Sequence, residues 1–230
     1  MDLNQEAKTF AANKAVSYIE NGMRVGLGTG STAKIAIDII GQRVAEGLQI
    51  VAIPTSERSR KQAIDLNIPL TTFEETPHLD VTIDGADQVQ VKTLAIIKGL
   101  GGALVREKIV AFASDRYLIV VDESKVVQAL GNKVPVPVEV VQFGWSATVS
   151  HLKKLTADIR MRKAENSENK DGFYVTDGGN FIADCFFPDI AEPKFTEASI
   201  KNIVGVVDCG LFLGLNPIVI IGSAAGAKLL

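Results

Sequence analysis

The sequence predicts an α/β fold: a Rossmann-like, mostly parallel sheet with helices on both faces, joined to a smaller α+β domain. Three observations predict it. Between residues 4 and 121, short apolar runs alternate with segments of helical period. The runs are continuously apolar, as strands buried on both faces are, rather than alternating apolar with polar. Past Asn132 the texture changes to β-rich, proline-bearing segments with a hairpin signal, pointing to a second, differently built part.

Each element follows from local pattern. Ala7, Phe10, Ala11, Ala15 and Ile19 recur at helical spacing, so 4–20 is expected as a helix, stopped by Asn21 and Gly22. Residues 23–28 form a short strand, 29–32 a polar turn, and 33–45 a helix with Ile35, Ile39 and Ile40 on its apolar face. The order then repeats, with 50–53 as strand, 56–66 as helix, 69–73 as strand and 79–83 as a buried strand ending in Asp84. Helix 103–113 and strand 117–121 follow. Pro135 and Pro137 in KVPVPVEVV suit an edge strand or an extended crossover, because proline has no N–H to give to a ladder. Beyond it come a helix at 146–155, a strand in DIRMRK, an exposed turn in ENSENKDG and a hairpin about DGGN in FYVTDGGNFIADCFF. Helix 197–203 and short apolar strands at 204–207, 211–213 and 218–221 suggest that the chain re-enters its first part. The expected division is a discontinuous Rossmann-like domain, 1–130 with 204–230, and a small α+β domain, 131–203.

Composition narrows the function. With 47% hydrophobic and 22% charged residues, the 230-residue chain has ample material for a core. A net charge of −3 disfavours general attraction to nucleic acid or anionic membranes, so a bound phosphate must be held by local lysines and backbone amides, and a small-molecule partner is expected. The N-terminus is polar and amphipathic, and no apolar stretch approaches the roughly 20 residues that span a bilayer, so a cytoplasmic location is expected. Cys185 and Cys209 lack metal-type spacing and are expected as buried thiols. His78 and His151 have no neighbour at ligand spacing and are expected at the surface or in packing, which leaves no common zinc or iron site.

Four polar segments sit where ligands gather, beyond the carboxyl ends of parallel strands. GLGTGST, residues 26–32, departs from a dinucleotide fingerprint because Ser31 stands where the third glycine belongs and no acid ends the next strand. It is either a structural strand-to-helix turn or a cradle for phosphate or sugar hydroxyls. IDGAD, residues 83–87, sets Asp84 and Asp87 three apart, as an acid–base pair, a magnesium site, or a turn in which Asp84 bonds backbone amides. KGLGGALVREK, residues 98–108, runs a lysine and glycines into a helix bearing Glu107. That is either a base beside an anion cradle or a plain connection followed by a solvated helix face. DESK places Lys125 just after strand 117–121.

Taken together, VGLGTGSTA, VTIDGADQV, IKGLGGALVREKIV, VVDESK, LGNKVPVPVEVVQFG, VTDGGNFIAD and VGVVDCGLF resemble the type A ribose-5-phosphate isomerases over nearly the whole length. The resemblance implies a metal- and cofactor-independent interconversion of D-ribose 5-phosphate and D-ribulose 5-phosphate in the non-oxidative pentose phosphate pathway, by a homodimer or homotetramer. It also places the general base on Glu107 and substrate contacts on Thr29, Gly30, Ser31, Thr32, Asp84, Gly85, Ala86, Asp87, Lys98, Gly99, Leu100, Gly101 and Lys125, with Lys8 near the phosphate. Within that assignment, Lys98 stabilises the enediolate while Asp84 and Asp87 bind hydroxyls and assist ring opening. Two positions depart from the family pattern: Leu100 stands in place of the middle glycine of KGGG, and Gln88 in place of the acid of DGADE. Leu100 is expected to act through its main chain, at a backbone conformation that a side chain permits. A non-catalytic sugar-phosphate sensor and a related lactonase or deaminase are the competing readings. Against the first stand Glu107 and the lack of a basic face; against the second, histidines that lie outside every motif.

Overall fold

The computed structural model describes residues 3–156, 158–164 and 172–230. In chain order its first elements are α1 (Leu3–Val16), β1 (Arg24–Leu27), α2 (Ser31–Ala45), β2 (Val51–Pro54), α3 (Glu57–Asp65) and β3 (Leu79–Gly85). Then come β4 (Gln88–Gln90), β5 (Ile96–Ile97), α4 (Leu104–Phe112), β6 (Ser114–Asp122), a 3₁₀ turn (Glu123–Lys125), β7 (Val126–Val127) and β8 (Val136–Val140). The remainder are α5 (Trp145–Leu152), β9 (Asp158–Met161), β10 (Phe181–Phe186), α6 (Pro193–Lys201), β11 (Val206–Cys209), β12 (Leu211–Phe212), β13 (Ile218–Ser223) and β14 (Gly226–Leu229). The fold is α/β, with a mostly parallel sheet in one unit and antiparallel sheets in another. No described helix is long and apolar enough to cross a membrane.

The larger unit comprises residues 1–86, 106–126 and 215–230. Its sheet runs β14-β13-β6-β3-β1-β2, parallel throughout except for β14 at one edge. Side chains alternate across the strands and so serve helices on both faces. Val25 and Leu27 of β1 join Ala11, Ala15, Ile37 and Ile40 of α1 and α2 in one buried cluster. Gly26 points the other way, where an added Cβ would lie 2.6 Å from Val110 of α4. Val110 packs there with Ile53 and Leu79. The Ser56 hydroxyl caps α3 by accepting the Ser59 N–H at 3.1 Å.

The smaller unit comprises residues 87–105 and 127–214. It holds the antiparallel sheet β11-β8-β10-β9 and a second four-stranded sheet, β12-β5-β4-β7. Its core gathers Val136, Val138, Val140, Phe181, Ala183 and Leu211, with Trp145, Phe173 and Phe181 in successive edge-to-face contacts. The expected boundaries differ from this grouping. Residues 87–105 pack with the smaller unit because β4 and β5 pair with each other and β5 with β12, and the chain rejoins the larger unit at 215 rather than 204.

Two strand expectations are corrected. Residues 69–73 form no strand; Leu70 alone bridges to Ala52. Pro69 has no N–H to extend the ladder, and the following residues fold into a turn closed by the Thr76 N–H on the Thr72 carbonyl at 2.8 Å. Conversely, the proline-bearing strand β8 is central, flanked by β10 and β11. The Pro137 carbonyl accepts the Gly210 N–H at 2.7 Å, so the imide nitrogen faces the same side, just beyond the last paired residue of β11, Cys209. No ladder bond is lost there. The expected ENSENKDG turn lies outside the described residues up to Gly172. The DGGN turn is present, with Thr176 N–H on the Asn180 carbonyl at 2.9 Å, but its first arm is reduced to single bridges.

Candidate functional site

In the larger unit the chain leaves β1 for β2 on one side while β3 lies on the other, which makes the β1–β3 boundary the switch point of the sheet. Two of the expected turns, GLGTGST and IDGAD, meet there. The Gly28 N–H donates to the Ile83 carbonyl at 2.9 Å, and Asp84, 0% exposed, accepts on Oδ1 from the N–H groups of Thr29 (3.0 Å) and Gly85 (2.7 Å). Glycine is required at position 28, where a Cβ would lie 2.3 Å from Asp84 Oδ1. Asp84 therefore has the backbone-organising role that the sequence offered beside acid–base and magnesium chemistry. Gly85 and Ala86 are half-buried just after it.

Thr29 itself is turned inward. At 5% exposure its Oγ1 donates to Ser56 Oγ at 2.7 Å and lies 2.8 Å from Thr55 Oγ1 and 3.1 Å from Ser59 Oγ. Ser59 Oγ in turn donates to the Gly28 carbonyl at 2.7 Å. This hydroxyl cluster braces the turn from beneath and was absent from the expected set; the polar run TSERS directly after β2 is the signal that marks it. Gly30, at φ 122°, precedes α2, Ser31 is exposed at its start, and Thr32 is buried. Anion-binding capacity at this turn therefore rests on the start of α2 rather than on the Thr29 side chain.

Glu107 lies in the first turn of α4 and is 3% exposed, which removes the solvated-face alternative. Its helix is fixed to the sheet by Val110 and to α3 by Arg106, whose Nη1 donates to Glu57 Oε1 at 2.8 Å. The Arg106 guanidinium holds the Glu57 carboxyl below the usual carboxylate range. Lys125 is half-buried at the end of the 3₁₀ turn, which Asp122 caps by accepting the Ser124 N–H at 2.9 Å. Lys8, also half-buried, follows Ala7, whose carbonyl lies against Gly222 of β13; Gly222 is the register partner of Asp122. Lys125 thus follows the carboxyl end of β6, and α1 passes the carboxyl end of the adjacent β13 at Ala7, the residue before Lys8.

In the smaller unit, Asp87 is half-buried and its N–H donates to the Ile97 carbonyl at 2.9 Å. Its Oδ2 accepts the Leu100 N–H at 3.0 Å. Lys98 is 2% exposed, with its N–H on the Gly210 carbonyl at 2.9 Å and its ammonium 5.7 Å from the Phe212 ring centroid. Gly99 and Gly102 adopt φ of 101° and 83°, whereas Leu100 is absent from the positive-φ residues and leaves its side chain 38% exposed. The leucine is thus tolerated where the loop does not need a glycine. Gly101 is exposed between them. Gln88, buried, accepts the Gly131 N–H at 2.9 Å and reaches Asn132 Oδ1 at 3.5 Å, so this departure supports a neighbouring loop.

Both cysteines are buried free thiols, and burial pushes the Cys185 thiol up. His78 is exposed beside Asp115, at 2.9 Å, and His151 is exposed on α5. Among the described residues one group, Glu197, Asp208 and Cys209, brings possible metal-ligand atoms within 4.8 Å of one another. Lys201 Nζ lies 3.7 Å from Asp208 Oδ2, so the group already carries a counter-charge. None of its members belongs to the expected set.

A parallel sheet with N–H-rich turns and a fixed carboxylate at its switch point defines a small-ligand-binding α/β protein. Comparison with known proteins makes this specific. Residues 51–226 match the family model for ribose 5-phosphate isomerase A (phosphoriboisomerase A). The ribose-5-phosphate isomerase A of Gloeobacter violaceus is 49% identical over 230 residues, covering 100% of this chain and 97% of the relative. That of Gluconobacter oxydans is 45% identical over 228 residues, covering 99% and 96%. Among solved structures, ribose 5-phosphate isomerase A of Methanocaldococcus jannaschii matches with a TM-score of 0.93 at 38% identity, covering 99% of each chain. A D-ribose-5-phosphate isomerase in complex with phospho-erythronic acid matches with a TM-score of 0.92 at 37% identity, covering 100% of this chain and 99% of that one. The chain belongs to the ribose 5-phosphate isomerase A family.

Proposed function

We propose that the protein interconverts D-ribose 5-phosphate and D-ribulose 5-phosphate through an enediolate, in the non-oxidative pentose phosphate pathway. The observation that carries this reading is the buried carboxyl of Glu107, set in the first turn of a helix that follows a glycine loop and Lys98 directly in the chain. The substrate class is supported by the relative solved with phospho-erythronic acid, a phosphorylated sugar acid.

The reaction moves a proton from C2 to C1 and a hydroxyl proton from O2 to O1. In our reading Glu107 takes the C2 proton and returns it to C1, a contribution of about 10² to 10⁴ in rate for a positioned base. Lys98 and the loop amides of Gly99, Leu100 and Gly101 stabilise the enediolate oxygen, each well-aimed donor contributing about 3 kcal/mol. Asp84 and Asp87 bind hydroxyls and assist ring opening, Asp84 through a carboxylate already oriented by two N–H groups. Gly30, Ser31 and Thr32, with Lys125 and Lys8, hold the phosphate; Thr29, Gly85 and Ala86 shape the turns that carry these contacts. The same reading takes the enzyme as a cytoplasmic, metal-independent homodimer or homotetramer.

Purified protein given ribose 5-phosphate, with ketose formation followed with and without a strong chelator, tests it. Turnover in both arms is expected. Absence of ketose overturns the activity, and a loss on chelation that magnesium restores would move Asp84 and Asp87 to a metal site.

A further inference from the structure

The loop at 99–102 is gripped by a residue the sequence gives no reason to select. Arg162 directly follows β9, and its main chain is fixed on both sides: its N–H donates to the Ile182 carbonyl at 2.8 Å and its carbonyl accepts the Tyr174 N–H at 2.9 Å. Its side chain is 14% exposed and that of its partner Asp184 15%. Nε donates to Asp184 Oδ2 at 3.0 Å and Nη2 to Oδ1, a two-pronged pairing that fixes the plane of the guanidinium. Nη1 then donates to two successive carbonyls of the loop, Gly99 at 2.9 Å and Leu100 at 3.0 Å.

This grip has a directional consequence. In a trans peptide the carbonyl and the following N–H point in opposite directions, and no cis peptide is present among the described residues. Holding the Gly99 carbonyl on Arg162 turns the Leu100 N–H away from it, and that N–H meets Asp87 at 3.0 Å. Holding the Leu100 carbonyl turns the Gly101 N–H away in the same manner, and that N–H has no hydrogen-bond partner among the described residues. The Gly102 N–H closes the turn on the Gly99 carbonyl at 3.0 Å, and the two carbonyls that share one nitrogen are hinged at Leu100, which is not among the positive-φ residues. The guanidinium also offsets the negative ends of two carbonyl dipoles in a loop assigned to a developing oxyanion.

We propose that Arg162, oriented by Asp184, is a positioning residue for the isomerisation: it fixes the direction of the Gly101 N–H so that this group serves as a preorganised donor to the enediolate oxygen. The inference rests on the isomerase reading above. Beyond Asp184, the Arg162 side chain donates to the two loop carbonyls, so its loss is expected to act on the chemical step and to leave phosphate binding largely intact.

Arg162→Lys and Arg162→Ala are compared with the unsubstituted protein by steady-state kinetics on ribose 5-phosphate and by thermal melts. Arg162→Lys, which keeps the charge but loses the fork, is expected to lower kcat about 10-fold with KM within about twofold. Arg162→Ala is expected to lose about 100-fold in kcat, part of which returns with millimolar guanidinium but not with equal urea. If Arg162→Ala does not fold, Arg162→Lys decides. A folded Arg162→Lys with kcat within twofold of the unsubstituted protein, or one whose loss lies in KM alone, overturns the inference while leaving the isomerase reading standing. An unsubstituted protein that forms no ketose overturns that reading, and the inference with it.

Discussion

The backbone N–H of Leu100 donates to Oδ2 of Asp87 at 3.0 Å. The contact ties the last acid of the DGAD turn to the middle of the glycine loop, so two motifs thirteen residues apart act as one piece of backbone. It also accounts for a leucine in a loop of glycines: the position contributes its main chain, at a φ that L-residues adopt, and its side chain points where there is room.

Removing the acceptor should loosen the loop. Asp87→Ala leaves the Leu100 N–H without its carboxylate, and a hydrogen bond to a charged group contributes about 1.5 to 3 kcal/mol. Because Asp87 is half-buried, the low end of that range is expected in denaturant melts, together with a fall in kcat of about 10-fold or more. Asp87→Asn keeps an acceptor and should recover most of the stability but less of the rate. Equal stabilities for the alanine variant and the unsubstituted protein would show that the contact does not hold the loop.

A second expectation concerns the switch point. In Gly28→Ala the new Cβ would stand 2.3 Å from Oδ1 and 2.6 Å from Cα of Asp84, backbone that cannot step aside cheaply. Overpacking of this kind costs about 1 to 3 kcal/mol, or roughly 2 to 12 °C in melting temperature for a chain of this size. Asp84 would also lose its fit to the Thr29 and Gly85 N–H groups, so ribose 5-phosphate turnover should fall further than stability alone accounts for. A melt within 1 °C of the unsubstituted protein, with full turnover, would contradict the tight approach.

How much of this was legible in the sequence depends on chain distance. Strand, turn and helix from β1 to α2 were legible because apolar period and glycine punctuation are local signals. That Glu107 lies in the first turn of the helix after the glycine loop was legible for the same reason, since the two are neighbours in the chain. The grip of Arg162 on Gly99 and Leu100 was not, because it spans 63 and 62 residues and depends on the pairing of β9 with β10. Leu70 and Pro137 show the converse: a β-rich run failed to become a strand and a proline-bearing run became a central one. Local propensity cannot tell where a neighbouring ladder ends. Thr29 was correctly placed in a strand-end turn, yet which way its hydroxyl faces is decided by Thr55, Ser56 and Ser59 on another loop.

Acid sensitivity should have an identifiable component in the larger unit. Arg24 donates to Asp80 from its backbone N–H (2.7 Å), Nε (2.9 Å) and Nη2 (2.6 Å), and these bonds hold the Asp80 carboxyl down to about 2, from an ordinary value of 3.8. A carboxyl with a depressed folded-state pKa stabilises the fold above its unfolded value, and that contribution is lost as pH falls from about 4 towards 2. With Arg24 partly exposed, about 1 to 2 kcal/mol is expected at pH 7 after discounting for solvent screening. Urea melts of the unsubstituted protein and Asp80→Asn should therefore differ at pH 7 and converge towards pH 2.5. A difference that stays constant across that range would place the origin of the effect elsewhere.

The assignment of the proton-transfer step is tested most directly by comparing Glu107→Gln with Lys98→Ala. Glutamine matches glutamate in size, and Glu107 sits in a packed helix held by Val110 and Arg106, so the fold should survive with a melt close to that of the unsubstituted protein. It has no carboxylate to accept the C2 proton, and kcat is expected to fall by about 10² to 10⁴ with KM little changed. Lys98→Ala removes a 2% exposed cation assigned to the enediolate, so its kcat should also fall more than its KM rises, by about 10² or more. The two losses should not multiply in the double variant, because once the base is gone there is little enediolate left for the lysine to stabilise. A folded Glu107→Gln that keeps near-full turnover would remove the base assignment outright. Losses that multiply fully would show that base and lysine contribute independently of one another.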